Sequence, residues 1–159
     1  MKKISIFLVG CCAMALTFSC SPTSVEEVEN IHYQNKVSAL EQEILNLVNE
    51  HRVSIGLNEL VFDQTAYDYA LAHTRDMIAK NKLSHDGFDL RSSNLTVEAK
   101  ANYVSEIVGR NFVTAKGVVN AWLKSYSHRK AIEGDYNFSA VSAKSNSDGV
   151  FYYTQLFYK

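Results

Sequence analysis

The chain has 159 residues, a formal net charge of −1, 47% hydrophobic and 21% charged residues, which suits one globular domain. That apolar content excludes disorder along the whole length, and 16 Lys+Arg against 17 Asp+Glu excludes nucleic-acid binding through a basic surface. Composition and the lack of several long apolar runs exclude collagen, a coiled coil and a polytopic membrane protein.

Lys2 and Lys3 precede an apolar stretch from Ile4 to Phe18, a pattern that predicts a signal peptide over residues 1–19. All 3 cysteines, Cys11, Cys12 and Cys20, lie in this stretch or at its end. Leu16-Thr17-Phe18-Ser19-Cys20 resembles a loose bacterial lipobox, in which the cysteine is lipidated and the peptide is cut before it. Leu8-Val9-Gly10-Cys11 matches the usual lipobox more closely but leaves an apolar core at the short limit, so Cys20 is the favoured lipid site. A plain signal peptide and an uncleaved anchor are the alternatives. With Cys20 lipidated, the mature chain has no free thiol, so it makes no disulfide and no cysteine-ligated zinc site.

Residues 20–37 hold the single proline, Pro22, and the acids Glu26, Glu27 and Glu29; they read as a tether, with one domain over 38–159. Ser38 and Glu41 have capping-box spacing and predict a helix start. Leu40, Ile44, Leu47, Val48 and His51 continue it as an apolar stripe, ended by Gly56. Asp63 is placed to cap a second helix that carries Ala66, Ala70, His73 and Met77 on one face and runs to about Lys82. After a turn at Asp86-Gly87, a short helix is expected over 95–101 and a strand over 103–112, interrupted at Gly109. Thr114 is placed to cap a third long helix; if it continued to Ile132, Trp122, Ser125, His128 and Ile132 would share one face. A β-hairpin closes the chain, 138–144 and 150–158, turning at Asn146-Ser147-Asp148-Gly149.

In that last strand both alternating faces are largely apolar or aromatic, so both must be covered. With at least three helices available, this predicts an α+β fold: a three-layer α-β-α sandwich around a small, largely antiparallel sheet.

Motifs for P-loop nucleotide binding, a Rossmann cofactor, a nucleophile elbow and a zincin protease are missing from the sequence. Of the 5 histidines, His32 falls in the tether, while His51 and His73 sit on apolar helix faces and read as packing residues. His85, beside a glycine turn, and His128 have no obvious packing duty, and periodicity leaves their role open.

Several ordered segments resemble the CAP superfamily, the SCP-like extracellular domains, in its bacterial lipoprotein form. Asn49, Arg52, Gly56-Leu57 and Leu60 resemble the exit of its first helix, and Ala72-His73, Asp76-Met77 and Leu83-Ser84-His85 its second helix and "SH" end. Glu106 stands at the family's "GEN" glutamate, flanked here by Ser105 and Ile107. Ala121-Trp122, Ser125, His128-Arg129 and Ile132 resemble the bacterial "AW…S…HR…I" segment, and Tyr153-Thr154-Gln155 the closing strand. The resemblance covers about Leu40 to Phe157 and implies an α-β-α sandwich with a central cleft of His85, Glu106 and His128. In some family members such a cleft binds a divalent metal. Ser125 and Tyr152 stand where eukaryotic members carry a further glutamate and histidine, so their tetrad is absent.

Two imidazoles and a carboxylate are a recognised shell for Zn2+ or another divalent metal, and the same three residues could do general acid–base work without one. Three readings stay open: a ligand-binding module, a metal-dependent, protease-like hydrolase using His85, Glu106 and His128, and a structural envelope protein with a vestigial cleft. Whether the chain is an enzyme is left undecided. The expected setting is the cell envelope, outside the cytoplasm, with the membrane reached through Cys20; secretion is the alternative. The partner is a small-molecule, lipid, glycan or protein ligand, nucleic acid is not expected, and the chain is expected to be a monomer.

Overall fold

Residues 37–159 are described by a computed structural model. The expected signal peptide, Cys20 and all but the last residue of the tether lie outside the described residues.

The first helix, α1 (Ala39–Ser54), starts on a complete capping box: Ser38 Oγ accepts from Glu41 N, and Glu41 Oε2 accepts from Ser38 N at 2.7 Å. Glu41 is fully buried, and its Oε1 accepts from Ala143 N at 2.7 Å and Lys144 Nζ at 2.9 Å. One carboxylate thus caps a helix and fastens it to the sheet. Gly56, at φ +84°, takes the left-handed conformation that turns the chain out of α1. A two-residue strand, β1 (Val61–Phe62), leads into α2 (Gln64–Ala79), whose first turn is capped by Asp63 Oδ1 accepting from Ala66 N at 2.7 Å. Then come α3 (Phe88–Glu98), β2 (Val104–Arg110), α4 (Ala115–Lys124), α5 (Tyr126–Ile132), β3 (Phe138–Ser145) and β4 (Phe151–Tyr158).

The strands form one sheet in the order β1-β3-β4-β2, with β1 parallel to β3 and the other pairs antiparallel. On one face Tyr153 and Phe157 pack with Ile44 and Val48 of α1 and Val118 and Trp122 of α4. On the other, Leu156 and Tyr158 pack with Tyr67 and Ala70 of α2 and Leu95 of α3. The central strand is therefore covered on both sides, and the α-β-α sandwich expected from its alternation is present.

Four local expectations are corrected. The α2 helix stops at Ala79, short of Lys82. The helix expected over 95–101 begins at Phe88 and ends at Glu98, because Gly87 opens it at φ +74° with no capping side chain and Lys100 leaves it at φ +58°. Strand β2 runs through Gly109 without a break; a Cβ there would sit 3.2 Å from Val118 Cγ2 and 3.3 Å from Trp122 Nε1, so glycine serves the close approach of α4. The third long helix is two helices. Ser125 is extended (φ −87°, ψ 124°) and separates α4 from α5, so His128 does not continue the Trp122 face.

Two motif residues prove structural. Arg52 is fully buried and donates to the carbonyls of Asn58, Ile132, Gly134 and Tyr136 and to Asn58 Oδ1, clamping the connection from α5 to β3. Asn49 exchanges two hydrogen bonds with the Leu60 backbone, fixing the turn into β1.

Candidate functional site

Strand β2 lies at the edge of the sheet, and its Glu106 turns toward α2, α3 and the loop between them. In register Glu106 lies opposite Leu156, on the face covered by α2 and α3. Its side chain is only 1% exposed. A carboxylate so buried needs partners, and it has them. His85 Nδ1 donates to Oε1 at 2.8 Å; Arg91 forks onto both oxygens, Nε to Oε2 at 2.8 Å and Nη2 to Oε1 at 2.9 Å. Arg91 Nη1 donates to the Asp86 carbonyl at 2.8 Å, so the same side chain braces the loop that carries His85.

Burial pushes the Glu106 carboxyl up, but the hydrogen bonds from His85 and Arg91, and then the Arg91 charge, outweigh it and hold the group below its ordinary value. The carboxylate is ionised at neutral pH and can only accept, so Nδ1 of His85 carries the proton and Nε2 is left for other partners. The imidazole is 53% exposed while its carboxylate is sealed. It is thus presented to solvent in a fixed tautomer by a buried anion, the arrangement that orients a histidine for recognition or proton transfer.

Two more histidines border this pair. His73 of α2 is buried, donates from Nε2 to the Ser84 carbonyl at 2.8 Å, and stands 3.9 Å from Glu106 Oε1. Desolvation lowers its pKa and outweighs the attraction of Glu106, so it is neutral at pH 7. His128 of α5 is half-buried; burial and then the nearby His85 charge lower its pKa. The fold therefore brings His85 and Glu106 into direct contact and His128 within electrostatic reach of His85. The hydrogen bonds described for the Glu106 side chain come from His85 and Arg91.

A divalent cation at Glu106 would have to share the carboxylate with the Arg91 fork, against a positive charge already 2.8 Å away. Among the described residues no group of three or more His, Cys, Asp or Glu side chains is placed to hold a metal. As arranged, His85, Glu106 and His128 do not fit a metal shell, since Arg91 already supplies the compensating charge.

Sequence reasoning missed Arg91 altogether and assigned His73 to packing. The available signal was helical spacing: Arg91 lies four residues before Leu95, on the buried side of α3. Behind the ion pair a cavity of about 370 Å³ opens between α2 and α3, lined by His73, Asp76, Asp86, Arg91 and Asn94 among others.

Fold and site together define an extracellular-type SCP domain, and the chain belongs to the CAP, or cysteine-rich secretory protein, family, whose model matches residues 45–157. It is 33% identical over 123 residues to the uncharacterized membrane protein YlbC of Bacillus subtilis, covering 75% of this chain and 34% of that protein. It is 31% identical over 123 residues to the uncharacterized protein YkwD of the same organism, covering 73% of this chain and 47% of that one. The chain thus spans between a third and a half of these curated relatives. Among solved structures it resembles an extracellular SCP-domain protein of Bacillus anthracis (TM-score 0.65, 25% identity, 87% of this chain and 45% of that chain). It also shares its fold with an outer surface protein of Borrelia burgdorferi (TM-score 0.67, 23% identity, 74% of this chain and 90% of that chain). No helix among the described residues is long and apolar enough to cross a membrane.

Proposed function

We propose that the chain is a ligand-binding module of the cell envelope, held outside the cytoplasm by a lipid on Cys20, with its recognition centre at His85. The observation that carries this reading is the contrast across one hydrogen bond: a sealed, ionised Glu106 at 2.8 Å from a half-exposed His85. Arg91 and His73 support that pair from behind, and His128 borders it. Such a site offers a ligand one imidazole nitrogen in a set tautomer and a second imidazole that burial keeps neutral, and no hydrogen bond among the described residues sets a nucleophile against either.

The same contact favours a second reading. A carboxylate that orients a histidine is half of a general-base device, so metal-independent hydrolysis is the competing activity. A metal-dependent version would have to share Glu106 with the Arg91 fork. One experiment separates the readings. The full chain and its His85→Ala and His128→Ala variants are assayed by thermal shift against panels of small carboxylates, lipids and oligosaccharides, and for turnover of generic peptide, ester and glycoside substrates. Bound zinc is measured by elemental analysis in parallel. A binding module gives a ligand-dependent shift that His85→Ala removes, with no turnover. Turnover lost in both folded variants would replace it with the hydrolase, and stoichiometric zinc lost in both would restore the metal cleft.

A further inference from the structure

A second site lies apart from His85, where α5 meets the start of β2. A cavity of about 600 Å³, within the range of small-molecule sites, is lined there by Tyr103, Ser105, Ser127, Lys130, Asp135 and Lys159, among others. Its floor is an aromatic platform. Tyr103 and Tyr136 stack with ring centroids 5.6 Å apart and planes within 6° of parallel. Tyr136 is 3% exposed and meets Phe157 of the core in a tilted contact, centroids 5.7 Å apart and planes at 35°, whereas Tyr103 is 63% exposed. The outer ring is therefore a large apolar surface kept in water and braced by two rings beneath it, an uncommon placement for a residue of that size.

The rim is polar and of both kinds. Ser105 and Ser127 bring hydroxyls, Asp135 a carboxylate and Lys130 and Lys159 ammonium groups. Lys159 is paired with Asp135, while Lys130 has no ion-pair partner among the described residues, which leaves one positive charge at the rim uncompensated.

We propose that this cavity binds a saccharide carrying a carboxylate, with a sugar ring laid on Tyr103 and its acid group at Lys130. A pyranose has an apolar C–H face for an aromatic plane and a girdle of hydroxyls that both donate and accept, which serine, aspartate and lysine together satisfy. An acyl chain would leave these rim charges desolvated without partners. A nucleic-acid strand would need many phosphates neutralised, and one spare ammonium does not supply that. The site shares no residue with the His85 centre, so it stands or falls independently of that reading.

The test uses the full chain in a detergent without a sugar headgroup, titrated calorimetrically with tetragalacturonate and with its neutral counterpart, the α-1,4-linked galactose tetramer. The expected result is millimolar or tighter binding of the acidic oligomer, weakened at least about tenfold by Tyr103→Ala, about 1.4 kcal/mol. Tyr103→Phe, which keeps the ring, should retain binding. Lys130→Ala should erase the preference for the acidic over the neutral oligomer, and Val97→Ala on α3 should change nothing. Unchanged binding in a folded Tyr103→Ala variant overturns the proposal, as does no binding of either oligomer by the parent chain. Equal binding of the two oligomers by the parent overturns the assignment of the acid group.

Discussion

Arg91 meets Glu106 edge to edge, with its Nε and Nη2 on opposite carboxylate oxygens at 2.8 and 2.9 Å. Both side chains are largely withdrawn from water, at 11% and 1% exposure, so the pair stands where removing one member strands the other. The fork also reaches the Asp86 carbonyl, which makes Arg91 a positioning residue for His85 through the backbone as well as through Glu106.

Arg91→Ala should therefore cost about 3 kcal/mol of stability, more than loss of its packing area alone. Replacing both charges, Arg91→Met with Glu106→Leu, should cost less than Arg91→Ala, because no uncompensated charge remains. Urea denaturation of the three proteins checks the order; a double variant less stable than the single one would contradict it.

Stability should fall in two stages on acidification. His73 is buried neutral with a lowered pKa, so its contribution is full above its ordinary value of 6.5 and is lost as pH falls from there through the folded value. His128 shifts in the same direction and adds to this stage. Glu106, also lowered, contributes fully above its ordinary 4.5 and loses that contribution as pH falls below it. Urea midpoints at pH 7.5, roughly 5.5 and roughly 3.5 resolve the stages, and His73→Gln should shrink the first stage while leaving the second.

Arg52→Lys should destabilise by about 2 kcal/mol despite keeping the charge, because one ammonium cannot reach carbonyls from Asn58, Ile132, Gly134 and Tyr136 together. The carbonyls of Ile132, Gly134 and Tyr136 belong to the end of α5 and the α5–β3 connection. Limited proteolysis should cut between Ile132 and Phe138 sooner in the variant than in the parent.

Gly109→Ala places a methyl 3.2 Å from Val118 and 3.3 Å from the indole of Trp122, which donates to the Val108 carbonyl at 3.0 Å. The overpacking should cost about 1–3 kcal/mol. Trp122 is the only tryptophan, so a changed emission maximum in the folded variant reports the displacement of α4 directly.

What the sequence made legible follows side-chain chemistry at the chain's turning points. Ser38 with Glu41, Asp63 and Thr114 announce their helices because each places an oxygen on the first turn. The start of α3 was hidden because Gly87 does its work with a backbone angle and no side chain. The break at Ser125 has neither glycine nor proline to mark it, and β1 is too short for any pattern. His85 and Glu106 lie 21 residues apart and came together on paper through family resemblance, since no local spacing links them. Arg91 escaped because a buried charge paired across elements looks, along one helix, like a surface arginine, and His73 because its neighbour Glu106 is remote in sequence.

The strand order has a temporal consequence. Strand β2 pairs with β4, and β3 joins β2 only through β4, so one of the sheet's two interior positions belongs to its last strand in chain order. A chain released N-terminus first can already pair β1 with β3, but β2 lacks its sheet partner until residues 151–158 arrive. Until then β2, and with it Glu106, has no strand to pair with, so the site at that edge of the sheet is completed last.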